Sequence, residues 1–348
     1  MSNPIFIIGT ERSGTNLLRL ILNSHSKIAI PHPPHIMKNF FRLEPSYGDL
    51  SWDENFRRLI RDVVTMVELH PYPWEIKIDK ERIFSDVRSR DLINIFFAVY
   101  DQYLDSTGKA RWACKSTFMI NHVALVRHYY PQAQFIYMVR DGRDVAVSAK
   151  QAIFNHYNVY YIAQLWKKEQ QLGLYWLRKL PGESISLVKY EDLLSDPQKT
   201  VKSLCSFLNE PYEEGMLQFF KTPESQKSAK LSAAWKNTAS PIIKDNLGKF
   251  KQSLKRQEID LFEAISGLEL DSFGYELTRP LHVLEGVRVR GVKFRGVYFL
   301  EEFFLMLKVQ IRHFFIDSNN SLRYRKFWFL KSIPFYCHSE RSEESHQD

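Results

Sequence analysis

Residues 5–22 read Ile-Phe-Ile-Ile-Gly-Thr-Glu-Arg-Ser-Gly-Thr-Asn-Leu-Leu-Arg-Leu-Ile-Leu, and this stretch decides the fold. Its pattern predicts a short buried strand, a tight glycine-containing turn and a helix. Such a turn directs free backbone N–H groups toward the positive end of a helix dipole, where phosphate or a similar oxyanion binds. The spacing from Gly9 to Gly14-Thr15 is that of a P-loop, but the P-loop lysine is absent. We therefore expect a site for a nucleotide-like anion in a protein that is not an ordinary ATPase.

A second stretch, residues 135–148, repeats this logic as Phe-Ile-Tyr-Met-Val-Arg-Asp-Gly-Arg-Asp-Val-Ala-Val-Ser. A buried strand ends at Arg140, Arg143 follows in the turn, and Ser148 lies on the next helix. The planar fork of an arginine suits a phosphate group. Taken alone, the motif fits equally well a set of ion pairs between its two arginines and its two aspartates at a helix start.

Composition bounds the class of protein. The 348 residues can bury one large α/β domain with additions, or two domains, and the formal charge of +8 favours anionic ligands or surfaces. Three cysteines lie far apart without a CxxC pair, which indicates a reducing compartment and gives no zinc pattern. The start shows no basic segment followed by a long apolar core, and residues 297–315 carry four charges that are costly in a bilayer. We expect a cytoplasmic protein, with membrane association as an alternative.

Apolar runs alternate with helical patterns along the chain, which predicts a parallel sheet with crossover helices. Strands are predicted at 5–8, 112–114, 135–139 and 184–188. Residues 29–34 are rich in proline and histidine and are predicted to be irregular. Helices are predicted at 15–24, 55–69, 92–104, 120–130, from 145, and at 157–177, 197–208 and 255–265.

Together the two anion motifs resemble those of sulfotransferases, which transfer the sulfuryl group of 3′-phosphoadenosine-5′-phosphosulfate (PAPS). The matching segments are residues 11–16, 140–148 and 186–193, the last followed by Asp196-Pro197. The resemblance covers residues 4–277, with a poorly matched stretch at 36–108. It implies an α/β, three-layer, P-loop NTPase-like fold with a central parallel sheet of about five strands. It also implies a sulfotransferase domain over residues 1–280.

The resemblance implies which residues bind the donor. Arg140 and Ser148 would bind its 3′-phosphate, Tyr190 would lie near the nucleotide, and Lys249 would reach a phosphate from the segment 246–250. Core packing explains Tyr190 equally well. The 5′-phosphosulfate would be held by the first turn, at Arg12, Ser13, Gly14, Thr15 and Asn16, where Asn16 replaces the second threonine usual in the family.

Catalytic roles follow from the same resemblance. Arg12 and Lys115 would stabilise the leaving phosphate, so that no metal is needed, although Lys115 could also be a surface lysine at a strand end. Residues 29–36 read Ala-Ile-Pro-His-Pro-Pro-His-Ile, and Pro33 stands where related bacterial members have the glutamate that is their general base. His35, with His32 second, is then the expected base, since a neutral imidazole accepts a proton near pH 7. Both histidines could instead belong to a proline-rich lid.

Two other functions remain open. The loss of the glutamate is compatible with a non-catalytic nucleotide-binding protein on the same scaffold. A P-loop kinase or NTPase is less compatible, because the Walker lysine and an apolar strand ending in a metal-binding aspartate are both missing. The expected partner is a small-molecule, glycan or lipid acceptor, or a peptide tyrosine, and not a nucleic acid.

The carboxy-terminal part differs in composition. Residues 286–334 hold ten lysines and arginines against three acids, interleaved with aromatic residues. We expect a basic, aromatic helical extension over 281–336 and a disordered tail over 337–348. Docking of the extension on the domain is the favoured interpretation, and peripheral contact with an anionic membrane through 286–334 is the alternative.

Overall fold

A five-stranded sheet forms the centre of the computed structural model, which describes residues 3–152, 156–231, 233–293, 295–316 and 320–344. All its strand pairs are parallel, in the order β2–β3–β1–β4–β5. The two central strands, Ile5–Gly9 and Gln134–Val139, are buried along their whole length because helices cover both faces of the sheet. The predicted α/β class with a central parallel sheet of five strands is confirmed. The strands are β1 (Ile5–Gly9), β2 (Ile28–Ala29), β3 (Arg111–Lys115), β4 (Gln134–Val139) and β5 (Ile185–Lys189).

Sixteen α-helices are seen in the described ranges. They are α1 (Thr15–Asn23), α2 (Ile36–Phe40), α3 (Asp53–Glu68), α4 (Lys80–Asp86), α5 (Leu92–Thr107), α6 (Val123–Tyr129), α7 (Gly142–Ala149), α8 (Val159–Lys179), α9 (Tyr190–Ser195), α10 (Pro197–Leu208), α11 (Pro223–Leu231), α12 (Phe250–Ser253), α13 (Arg256–Ser272), α14 (Leu281–Lys293), α15 (Arg295–Ile316) and α16 (Asn320–Glu344). Short 3₁₀ segments lie at Glu44–Tyr47, Thr117–His122, Glu214–Lys221 and Ala233–Ala239.

Alternate residues of the strands face two separate cores, which gives the three layers. On one face Phe6 and Phe135 pack with residues of α3, α5 and α8. On the other face Ile7 and Ile136 pack with residues of α1 and α10. Since successive strand residues point to opposite faces, each strand contributes to both cores.

The order of the strands places two loops in one crevice. From β1 the chain moves to β2 and β3 on one side, and β4 and β5 lie on the other, so a topological switch point falls between β1 and β4. Gly9 pairs with Met138 at the carboxyl ends of these strands. Its φ is 139°, and a Cβ atom there would lie 2.2 Å from the Met138 carbonyl oxygen. The turn after β1 and the turn after β4 therefore start side by side.

Several elements differ from the sequence-based expectations. The segment predicted as a helix at 120–130 begins as the 3₁₀ segment Thr117–His122, and the irregular stretch 29–34 is preceded by the two-residue strand β2. Helix α4 lies in the poorly matched stretch and begins after Asp79, whose carboxylate accepts bonds from the N–H groups of Glu81 and Arg82.

The carboxy-terminal helices continue to Glu344. Residues 345–348 of the proposed tail lie outside the described residues, and the division at 280 and 336 stays a prediction. None of the helices in the described ranges is long and apolar enough to cross a membrane.

Candidate active site

The turn between β1 and α1 forms a concave strip of backbone. The Ser13 N–H donates to the Thr10 carbonyl oxygen at 3.2 Å, and Gly14 takes a left-handed conformation with φ of 88° at the start of α1. No side chain caps α1, so the first N–H groups of this helix have no capping partner. The Ser13 hydroxyl is fully buried and has no hydrogen-bond partner in the described structure. These features suit an anion bound at this helix end.

Arg12 is the strained residue of this turn. Its φ is 73°, a left-handed conformation that costs a non-glycine residue about 1 kcal/mol or more. Burial lowers the pKa of the Arg12 guanidinium, and neighbouring Arg140 lowers it further. Backbone strain of this kind is common at functional sites, although it does not by itself assign a function to Arg12.

The two anion motifs meet directly. The Arg12 Nε donates to the Ser148 hydroxyl at 3.0 Å, and an Arg140 Nη donates to the Arg12 carbonyl oxygen at 3.2 Å. The buried Nε of Arg140 has no partner among the described residues. Sequence positions more than a hundred residues apart thus line one cleft between β1 and β4.

Tyr190 directly follows β5 and packs against residues of both motifs that line this cleft. Its ring lies 4.4 Å from the Arg140 guanidinium, and a Cβ atom at Gly14 would lie 2.3 Å from the same ring. Its hydroxyl accepts a bond from the Asn246 amide at 2.6 Å. Tyr190 is 6% exposed, so most of its surface is used in packing between the loops.

The segment 246–250 lies over the second motif. The Asp144 carboxylate accepts bonds from the N–H groups of Gly248 and Phe250, at 2.8 and 2.9 Å, and Arg140 donates to the Asn246 carbonyl oxygen at 3.2 Å. Lys249 stands between the two bound N–H groups with an exposed side chain. The backbone of Lys249 is thus held next to the second motif, and its side chain is exposed to solvent.

Arg143 has a different environment from Arg140. Its guanidinium binds Asp141 at 2.7 Å and Glu263 at 2.5 Å, and it lies 4.1 Å from the Phe250 ring. Ion pairing at the helix start, the alternative raised by the sequence, thus describes Arg143. Among the described residues, the carboxylate that Arg140 contacts is that of Asp144, at a long distance of 3.5 Å.

Asn16 joins the first turn to a residue that the sequence did not single out. Its side-chain oxygen accepts a bond from Arg19 at 2.9 Å, and its buried Nδ2 has no partner among the described residues. Arg19 is fully buried and binds Glu224 of α11 at 2.7 Å. A spacing of three residues on a helix is one at which Asn16 and Arg19 can meet, but nothing in the sequence pattern indicates Glu224.

Lys115 ends β3, on the other side of β1 from Arg140. It is 9% exposed, and its ammonium has no hydrogen-bond or ion-pair partner among the described residues. Burial, with a smaller contribution from Arg19, lowers the pKa of Lys115 to about 8. Lys115 is therefore not the solvated strand-end lysine that was the alternative.

The two histidines occupy different surroundings. The His35 Nδ1 lies 3.4 Å from the Ser116 hydroxyl, and burial, followed by the charge of Lys115, holds the pKa of His35 well below 6.5. His32 stacks on the Tyr72 ring at 4.3 Å, and both its ring nitrogens are buried without a partner in the described structure. Burial, then His70, holds the pKa of His32 well below 6.5 as well. Both imidazoles are neutral at pH 7.

Sequence reasoning missed three further groups at this end of the cleft. Lys326 of α16 donates to the Pro34 carbonyl oxygen at 3.2 Å, and burial lowers its pKa to about 8. His70 lies 5.2 Å from the ring of His32. Glu169 of α8 is buried near Thr10, and this burial raises its pKa to about 8. All three come from segments distant in sequence, and none carried a recognisable motif.

Comparison with known proteins assigns this arrangement to a family. The sequence model described as the Sulfotransferase family matches residues 4–214. An uncharacterized protein of Aquifex aeolicus is 26% identical over 243 residues, which are 66% of this chain and 28% of that protein. Protein-tyrosine sulfotransferase 1 of Danio rerio is 23% identical over 218 residues, 61% of this chain and 55% of that protein. The chain thus spans about half or less of the length of these two relatives.

One solved structure has the same fold over most of the chain. The sulfotransferase domain from the curacin biosynthetic pathway aligns with a TM-score of 0.56 and 21% identity, covering 80% of this chain and 99% of that domain. At this identity the likeness is one of fold.

Proposed function

The chain belongs to the sulfotransferase family, and from this premise we propose that it transfers the sulfuryl group of PAPS to an acceptor hydroxyl or amine. The observation that carries the proposal is the hydrogen bond from Arg12 to Ser148. It joins an anion-binding turn to a second strand end that presents Arg140. A donor with phosphates at both ends of its ribose requires two such positions in one cleft.

The buried polar atoms support donor binding. The Ser13 hydroxyl, the Asn16 Nδ2 and the Arg140 Nε are buried without partners in the described structure, and leaving such groups unsatisfied costs about 1–3 kcal/mol each. Anionic oxygens would satisfy all three. We assign the 5′-phosphosulfate to Arg12, Ser13, Gly14, Thr15 and Asn16, and the 3′-phosphate to Arg140 and Ser148, with Tyr190 packing the two loops together and Lys249 at the rim.

When bound, PAPS supplies a sulfuryl group on a phosphate leaving group. The chain's part is to hold this group in line with the acceptor and to neutralise the charge that the phosphate gains. Arg12 and the N–H groups of α1 would donate to its oxygens. The Lys115 ammonium, which has no internal partner in the described structure, would stabilise the oxygen that leaves with the phosphate.

His35 is the proposed general base. In this proposal the Nδ1 N–H donates to the Ser116 hydroxyl, so that Nε2 can accept the proton of the acceptor hydroxyl. The low pKa of His35 keeps this nitrogen unprotonated at pH 7. His32 is the second choice, because its stacking on Tyr72 and its buried nitrogens describe a packed side chain.

Donor binding and transfer are tested separately. Titration with the desulfated nucleotide should show binding that Arg12→Ala weakens at least about tenfold. Labelled PAPS is then incubated with a panel of acceptors that includes a tyrosine peptide, because one relative is named for protein tyrosine. His35→Gln should lower the transfer rate about 10²- to 10⁴-fold without weakening nucleotide binding, and His32→Gln should lower it less.

Other outcomes would decide between functions. Nucleotide binding without transfer to any acceptor would favour the non-catalytic alternative. Magnesium-dependent ATP hydrolysis with no affinity for the desulfated nucleotide would contradict the proposal.

A further inference from the structure

Helix α15 is apolar on two opposite sides. Its inner side packs on the domain, where the Tyr298 ring stacks on Tyr160 at 4.9 Å. Its outer side is bare, with large apolar side chains that are 45% to 64% exposed. A large apolar surface that is exposed on a helix normally marks a binding surface, so we expect the outer side of α15 to bind another apolar surface. The exposed side chains are Val297, Phe299, Leu300, Phe303, Phe304, Leu307 and Ile311.

The width of this outer face indicates what covers it. At 100° per residue the seven side chains span an arc of about 160°. A single partner helix covers only a narrow seam of alternating three- and four-residue spacing. A broad arc with the exposed Lys308 at its edge suits a continuous apolar layer that has a charged boundary.

Helix α16 presents a face of the same character. Tyr324, Phe327 and Trp328 are 51% to 61% exposed, and the cations Arg325 and Lys331 are exposed beside them. Tyrosine and tryptophan, mixed with arginine and lysine, are the side chains that favour the boundary between lipid and water. The opposite side of α16 is packed, where Ile333 is 3% exposed.

Both acids of α15 are hydrogen-bonded to the domain, and Glu301 is at the same time exposed. Glu302 accepts bonds from the N–H groups of Tyr157 and Asn158, and Glu301 accepts one from the Asn158 amide. Residues 321–333 of α16 contain no acid. The apolar arcs themselves therefore contain no acid, and the exposed cations beside them are complementary to a layer of anionic head groups.

We propose that α15 and α16 bind the surface of an anionic lipid bilayer, with their exposed apolar side chains inserted at its boundary and their cations at the lipid phosphates. This interaction needs neither donor nor acceptor, so it stands or falls independently of sulfuryl transfer.

The test is co-sedimentation of the full chain with vesicles of phosphatidylcholine, with and without phosphatidylglycerol. We expect stronger binding to the anionic vesicles, weakening with added salt. Trp328→Glu and Phe304→Glu should each lower the partition coefficient at least about tenfold. Trp52→Glu and Leu268→Glu are the matched controls, because these side chains are 67% and 62% exposed elsewhere on the protein.

A charge variant completes the experiment. The triple change Lys308→Gln, Arg325→Gln and Lys331→Gln should cost roughly fivefold per cation on anionic vesicles and leave binding to neutral vesicles unchanged. Equal binding to both kinds of vesicle, or equal losses in the controls, would overturn the proposal. So would dimerisation without lipid that Phe304→Glu removes, because the face would then belong to a second copy. A melting temperature close to that of the unmodified protein shows that each variant is folded.

Discussion

Arg140 and Arg143 lie three residues apart in one motif but have opposite surroundings. Arg143 is bound by two carboxylates, whereas the Arg140 Nε has no partner in the described structure. The same substitution should therefore have different effects at the two positions. Arg140→Lys should weaken binding of the desulfated nucleotide about tenfold or more with little change in melting temperature, because the bidentate fork is lost.

Arg143→Lys is the matched control. It should lower the melting temperature and leave nucleotide affinity close to that of the unmodified protein, since the buried pairs are structural. Calorimetric titration and thermal melting measure both quantities. Equal losses of affinity in the two variants would contradict the assignment of the 3′-phosphate to Arg140.

Lys115 gives a prediction about pH. The protonated ammonium is the form that stabilises the leaving phosphate, and its pKa in the free protein is about 8. As pH rises above about 8, the proton is lost and kcat/KM for PAPS should fall about tenfold per pH unit. Since His35 is already neutral at pH 7, no rise is expected between pH 7 and 8.

The effect of Lys326 on the pH profile must be distinguished from that of Lys115, because the pKa of Lys326 is also about 8. Lys115→Arg keeps its charge at high pH and should remove the alkaline fall, at a lower maximal rate. Lys326→Met should retain the fall. A pH profile in which the fall survives Lys115→Arg would assign it to another group.

Residues within the two anion-binding motifs could be assigned to the site from the sequence, whereas residues outside these motifs could not. The turn residues and Arg140 follow strands whose carboxyl ends must meet at one edge of a parallel sheet. Glu224 and Lys326 reach the same region from α11 and α16, and only tertiary packing brings them there. The sequence placed His35 ahead of His32 as the proposed base, and the stacking of His32 on Tyr72, which no local pattern encodes, supports that order.

At the scale of elements, the turn from β1 to α1 depends on one glycine. Gly14 has φ of 88°, and an added Cβ atom would meet the Tyr190 ring at 2.3 Å. Gly108 ends α5 with φ of 65° and open space around it. Both pay the strain of a left-handed conformation when changed to alanine, about 1 kcal/mol, but only Gly14→Ala must displace a neighbour.

Gly14→Ala should therefore lower the free energy of unfolding by more than Gly108→Ala does. It should also weaken binding of the desulfated nucleotide, because Tyr190 holds Arg140 in place. Denaturant unfolding and nucleotide titration of the two variants check both effects. If the two glycine variants behaved alike, the close approach of Tyr190 would not be a constraint on the turn.

Elements with strong apolar periodicity were predicted correctly to within a few residues, as at β4 and α10. In the poorly matched stretch 36–108, the two long helices were predicted but the short elements were not. Helix α4 is only seven residues long and is fixed by the Asp79 cap and by packing on α3 and α5 rather than by an amphipathic repeat. Short elements of this kind derive their stability from neighbours, so the sequence pattern alone underdetermines them.

At the scale of the whole molecule, the carboxy-terminal helices are joined to the domain by specific contacts. Lys326 binds the Pro34 carbonyl oxygen beside the proposed base, and Glu302 binds the segment that leads into α8. Composition suggested an added segment but not where it attaches, because charge and aromatic content carry no information about partners in space. The attachment makes the helices part of the cleft's surroundings.

Glu302 tests how much this attachment contributes to stability. Its carboxylate accepts bonds from the His156 Nδ1 and from the Tyr157 and Asn158 N–H groups, at 2.9, 2.9 and 2.6 Å. Glu302→Ala removes an acceptor of two backbone N–H groups at nearly buried residues and should lower the free energy of unfolding by about 2 kcal/mol. Glu302→Gln keeps an acceptor and should cost less.

Glu285→Ala, a change at an exposed acid of α14, is the control and should leave the free energy of unfolding nearly unchanged. Denaturant unfolding of the three variants gives the comparison, and equal midpoints for Glu302→Ala and Glu285→Ala would mean that the extension is not fastened through this carboxylate.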